Sequence, residues 1–224
     1  LFSVYEITCE QQIEPLGIES KSPRFSWRVV SQQRAYRQSA YRILVTDIEG
    51  ALAADEGTIW DSGKRFSSNS VLIPFQGREL HSATRYYWKV KVWNEAGEES
   101  AWSKQGSFVT GMMKERDWGK AQWIALEKDD PEKNLYPGIH APLVGKMIGG
   151  RKVGGYKLPM FRKELLINKE VKEAIVNISG LGHFDFYVNG EKVGNHFLDP
   201  GWTNYAKTAL YLTFDVTPLL KKEN

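Results

Sequence analysis

Apolar and polar side chains alternate with a period of two along much of this chain, and no stretch of useful length repeats at the spacing of an amphipathic helix. Arg85 to Trp93 (RYYWKVKVW) carries the pattern best. It sends Tyr86, Trp88, Val90 and Val92 to one face and Tyr87, Lys89, Lys91 and Trp93 to the other. Phe25 to Val29 alternates behind Pro23, and Tyr41 to Thr46 is β-branched and apolar. Thr58 to Trp60 runs into Asp61-Ser62-Gly63, a turn, and Ser70 to Phe75 holds Pro74, which suits an edge strand. Asn94 to Gly97 then reverses the chain, and Ser107 to Thr110 returns.

About seven short strands within ~100 residues predict a fibronectin type III or immunoglobulin sandwich over residues 1–111. Trp27 and Tyr86 are its expected buried aromatics, and Ser100-Ala101-Trp102-Ser103 reads as a Trp–Ser element whose Trp staples a strand edge. Met112 to Trp118 is a connector. A second module over 112–224 begins around Trp118-Gly119 and Trp123-Ile124. Residues 127–159 are poor in strand formers and read as an irregular insertion; their GGRKVGG run lacks the spacing of a phosphate loop. Strands are predicted again at Met160–Leu165, Val171–Ile178, Phe184–Val188 and Ala209–Val216, with one short helical turn over Val216–Lys222. Asn189-Gly190 supplies the two positive-φ residues of a type I′ hairpin. The expected class is all-β, as two tandem sandwiches.

Composition narrows the function classes. Hydrophobic residues are 42% and charged residues 25%, as in globular proteins. The formal net charge is +3, with the first 111 residues balanced. Lys146, Arg151, Lys152 and Lys157 share one Gly-rich loop, so no basic stripe for nucleic acid forms on a folded surface. No apolar run approaches the ~20 residues of a membrane span. Cys9 is the only cysteine, which excludes an internal disulfide. Eight Trp, 10 Tyr and 10 Phe suit sandwich cores and sugar-binding surfaces alike.

Several segments, in order, resemble the N-terminal region of bacterial α-L-rhamnosidases. In the first half these are Glu14-Pro15-Leu16-Gly17-Ile18, Ser22 to Trp27, Trp60-Asp61-Ser62-Gly63, Thr84 to Val90 and Ser100 to Ser103. In the second half Ile178 to Gly182, Tyr187-Val188-Asn189-Gly190 and Asp199 to Tyr205 look like that family's β-sandwich module. The resemblance implies an extracytoplasmic hydrolase of terminal L-rhamnose in glycans or glycosides, inverting, with its reaction centre in an (α/α) barrel. Inversion needs two carboxyl groups far enough apart to admit water, and the family's Asp-, Pro-, Arg- and Glu-rich barrel motif does not occur here. The resemblance also implies that the second sandwich is jelly-roll-like, of carbohydrate-binding type and incomplete at its C-terminus. The chain therefore reads as a truncated, non-catalytic N-terminal piece, with the rest of the parent enzyme and a rhamnose-containing carbohydrate as partners. A stand-alone carbohydrate-binding or adhesion protein is the alternative. An incomplete sheet also predicts self-association, or disorder in 127–159.

No catalytic residue is assigned. Asp185, Glu191, Asp199 and Asp215 read as solvated hairpin carboxylates, and His81, His140, His183 and His196 lack zinc spacing. Asn195 to Tyr205 is the candidate ligand segment. The resemblance implies calcium held partly by the Asn195 side chain and the Pro200 carbonyl, with Asp129 or Asp130 upstream, and Trp202 or Tyr205 stacked on a sugar. Two ligands fall short of the six to eight oxygens calcium takes. The alternative is a structural corner in which Pro200 fixes the turn, Gly201 takes a special backbone angle and Trp202 packs.

Overall fold

A computed structural model describes residues 2–126 and 159–224. In the first module β1 (Phe2–Cys9), β2 (Arg24–Ser31) and the edge strand β6 (Ile73–Pro74) make one antiparallel sheet, in the order β1-β2-β6. The facing sheet runs β4 (Trp60–Asp61), β3 (Gln38–Thr46), β7 (Arg85–Asn94), β8 (Gly106–Val109), with β5 (Arg65–Phe66) also on β3. Pro74 sits on an edge, where a missing N–H costs least. Of these strands, β1 and β5 are not predicted by the sequence pattern. A register shift between Tyr5 and Thr8 breaks the alternation of β1.

The predicted inward face of β7 is the core: Tyr86, Trp88, Val90 and Val92 are all buried, with Phe25, Trp27, Ile43, Val45 and Phe108. Trp27 and Tyr86 both lie there, while ring contacts run through Phe25, which meets Trp88 at 4.5 Å and Phe108 at 5.9 Å. The Tyr86 hydroxyl accepts the His81 N–H at 2.8 Å, tying a strand to the chain just upstream. The Trp27 indole donates to Gln38 Oε1, and Gln38 Nε2 donates to the carbonyls of Ser67 and Asn69. The buried amide is thereby satisfied.

The outer face of β7 is covered rather than solvated. Ser100 and Ser103 donate backbone N–H bonds to Val92 and Val90, and their hydroxyls accept the N–H groups of those same residues at 3.1 Å. Between them Trp102 lies under the ammonium groups of Lys89 and Lys91, 4.5 and 4.6 Å from its ring centre. This is the expected Trp staple. It explains why Lys89 is buried, with its charge met by Asp55.

In the second module β9 (Ile175–Ser179) pairs with β12 (Tyr211–Asp215), and β10 (Tyr187–Val188) pairs with β11 (Glu191–Lys192). Asn189 and Gly190 join the latter pair at φ 52° and 84°, both in the left-handed region that the type I′ turn requires. Both strand pairs send side chains into one apolar cluster, with Val193, Phe214 and Val216 buried and Val176, Ile178, Phe186 and Val188 around them. A single 3₁₀ turn covers Thr217–Leu219. Leu1–Trp118 and Leu166–Asn224 together make one compact unit. The predicted strand at Met160–Leu165 does not form: these residues are irregular, and Met160, Phe161 and Leu165 are exposed. The insertion call and its GGRKVGG run fall outside the described residues, apart from residue 159.

Candidate functional site

Asn195 to Tyr205 follows β11 as one irregular loop on the second module. Gly194 at φ 75° and Leu198 at φ 58° bend the chain on entry, and the Asp199–Pro200 peptide is cis. The loop is pinned where Phe184 donates its N–H to the Asp199 carbonyl at 2.9 Å, and where His196 Nδ1 meets Asp199 Oδ2 at 2.7 Å. Pro200 is buried. Gly201 does not carry the special angle that the sequence suggests; that conformation belongs to Gly194 and Leu198.

Trp202 does not pack into the core. The residue is 63% exposed, and its ring lies nearly parallel to His183, 11° between planes and 6.0 Å between centres. Beyond it, Asn204 organises a tight turn. Its side-chain oxygen accepts the Ala206 N–H, and its carbonyl accepts those of Lys207 and Thr208. Tyr205 stands on this turn, 38% exposed, and Phe197 on the same loop is 83% exposed. An open aromatic face backed by an imidazole can stack on the apolar face of a sugar ring. His183 and Phe197 were invisible to sequence reasoning as parts of this surface, because nothing in HFDFYV or NHFLDP says that those rings stay uncovered.

The candidate metal donors come together only in part. Asn195 is exposed and Pro200 buried on the same loop, and Asp199 is already occupied by His196. Among the described residues no three His, Cys, Asp or Glu side chains gather around a metal-sized site. Asp129, Asp130 and His140 lie outside the described residues. Asn195 and Pro200 would supply two of the six to eight oxygens that calcium takes.

The tempting carboxylates have structural partners. Asp185 pairs with Lys192 at 2.6 Å, a hydrogen bond that holds the Lys192 ammonium above its ordinary pKa. Asp215 binds Arg85 at 2.6 Å, and Glu191 is exposed on the hairpin. A surface depression of 390 Å³ lies elsewhere, between Leu80–Ala83 and Met112–Asp117. Its one hydroxyl, Ser82 Oγ, donates to Asp117 and accepts the Met113 N–H.

Two family models match in tandem. One is the Rha78A-like, N-terminal immunoglobulin domain, over residues 4–114, and the other the alpha-L-rhamnosidase N-terminal domain, over residues 169–224. An alpha-L-rhamnosidase of Formosa agariphila is 42% identical over 206 residues, 92% of this chain and 21% of that protein. One from Alteromonas sp. is 32% identical over 95% of the chain. The chain spans about a fifth of the length of these curated relatives. Among solved structures, an alpha-L-rhamnosidase from Dictyoglumus thermophilum superposes with a TM-score of 0.80 at 35% identity, covering 99% of this chain and 24% of that one. One from Aspergillus terreus gives 0.72 over 100% of this chain and 23% of that one; at 24% identity it speaks for the fold alone. With both N-terminal domain models matched in order and relatives of that name along nearly its whole length, this chain belongs to the α-L-rhamnosidase family, as its N-terminal immunoglobulin and β-sandwich modules.

Proposed function

We propose that these modules are the non-catalytic N-terminal region of an extracytoplasmic glycoside hydrolase that releases terminal L-rhamnose from glycans or glycosides. The ordered pair of modules, matched in relatives that carry the name alpha-L-rhamnosidase, supports the reading above all else. The inverting acid and base come from the rest of the parent enzyme, where water can stand between them. In these modules Asp185, Asp199 and Asp215 are each engaged by a cation or an imidazole. The second module contributes a sugar contact, with Trp202 as the stacking platform and Tyr205 beside it.

Release of p-nitrophenol from p-nitrophenyl α-L-rhamnoside, measured on this chain and on the full-length parent, tests the assignment. Turnover by the parent alone is expected; turnover by this chain overturns it. A parent that binds rhamnose without hydrolysing it would favour the adhesion reading. For the sugar contact, calorimetry with rhamnose should show binding that Trp202→Ala removes. Adding calcium to the same titration decides whether Asn195 and Pro200 take part. Heat unchanged by Trp202→Ala would reject the platform.

A further inference from the structure

The strand β12 uses both of its faces. Leu212, Phe214 and Val216 turn into the second module's own cluster. Tyr211, Thr213 and Asp215 alternate with them on the opposite face, where a half-buried antiparallel strand normally meets water. Here that face meets the immunoglobulin module and the connector that leaves it. The Tyr211 hydroxyl accepts the Met112 N–H at 2.7 Å, and its ring stands edge-on to Trp118 at 5.1 Å. Thr213 bonds Asn177 on β9 at 2.7 Å and faces Gly17. Asp215 Oδ2 takes Arg85 Nη2 at 2.6 Å, while Arg85 Nε binds Glu173.

Both close approaches fall on glycines of the first module. A Cβ on Gly17 would sit 2.8 Å from Thr213 Oγ1, and one on Gly111 would sit 2.2 Å from the Tyr211 hydroxyl oxygen. The Arg85 side chain is only 18% exposed, so two carboxylates and the Ser107 hydroxyl take the place of its water. Burial, with the Glu19 carboxylate close by, pushes the Tyr211 hydroxyl up to about 12. Meanwhile both second-module sheets are two-stranded among the described residues, and paired strands alone are marginal in water.

We infer that the outward face of β12, together with Glu173 just ahead of β9, is a docking surface for the immunoglobulin module, and that this docking, centred on Arg85 and Tyr211, holds the second module folded. The first module is thereby a fixed brace of the sandwich and not a tethered neighbour. The inference is independent of sugar binding and of catalysis.

Hydrogen exchange on the full chain tests it. Arg85→Ala should speed exchange in Ile175–Ser179 and Tyr211–Asp215 by about 10-fold or more while β3 amides stay protected, because it strands two shielded carboxylates. Tyr211→Phe, which removes one hydroxyl acceptor, should speed the same amides about 3-fold. Exchange within about twofold of the parent in both variants would overturn the inference, since that is the scatter of a surface change. Should Arg85→Ala also cost β3 its protection, Tyr211→Phe decides alone, as it leaves every charge in place.

Discussion

The two halves of the compact unit show how differently one strand chemistry can be used. In the immunoglobulin module, Phe25, Trp88, Tyr86 and Phe108 sit at 0–1% exposure between two sheets that close over them. In the second module the buried apolar cluster among the described residues is Val193, Phe214 and Val216, at 3–7%, under two described strand pairs. Hydrophobic stabilisation scales with apolar area removed from water. The first module therefore stands on its own core, whereas the second draws stability from local turns and from contact with its neighbour.

Core truncation separates them most widely. Trp88→Ala removes a ring packed on Phe25 and should cost the first module about 4 kcal/mol. Calorimetry should then show its unfolding transition shifted far down or lost. Phe214→Ala should cost about 2–3 kcal/mol, the lower part of the range for large-to-small changes, because its sparse cluster can collapse onto the gap. Exchange should quicken in β9 and β12 and leave β3 unchanged. Equal loss in both modules after Phe214→Ala would mean that the second core is not the smaller contributor.

Turn and edge chemistry come next. Asn189 holds φ 52° while its Nδ2 donates to the Leu219 carbonyl and to Asn224 Oδ1, both at 2.8 Å. Asn189→Ala loses those bonds and must adopt a left-handed angle, at about 1–2 kcal/mol. In the first module Ser103→Ala leaves the Val90 N–H without its side-chain acceptor, at about 1 kcal/mol. Chemical denaturation of both variants checks the order. If Ser103→Ala proved the costlier, the Trp–Ser element would matter more to its module than the hairpin does to the other.

Much of this was legible in the sequence. Alternation in β7 named its core face residue by residue, Pro74 marked an edge, and Asn189-Gly190 fixed a turn, because each depends on neighbours a few residues away. What covers the opposite face is a long-range fact. Periodicity separates Tyr211, Thr213 and Asp215 from Leu212 and Phe214, yet it is silent on whether water or Arg85 meets the polar set. The same limit applies at the candidate site. The sequence is compatible with Trp202 as an interior corner residue or as a sugar platform, and only the fold shows it lying open on His183. Met160–Leu165 has strand-forming residues, but a strand needs a partner, and β propensity cannot supply one.

Acid should produce the smallest effect, and it belongs to the immunoglobulin module. Hydrogen bonds from the Arg42 guanidinium at 2.9 and 2.6 Å hold the Asp61 carboxyl below its usual value, and Arg24 does the same for Glu10. With native values depressed, the unfolded chain takes up these protons first as pH falls through about 4. The stabilisation is present in full above that point and is lost as pH falls on through the lowered native values. Both pairs are partly open to solvent and weaken in high salt, and the Arg42–Asp61 pair contributes at most about 1 kcal/mol. The melting temperature of the first module, followed from neutral pH to about 2 at low ionic strength, should fall, and Asp61→Asn should flatten part of that fall. An unchanged slope in Asp61→Asn would show that the Arg42 pair contributes nothing net. Acid sensitivity would then have to be sought in other carboxylates.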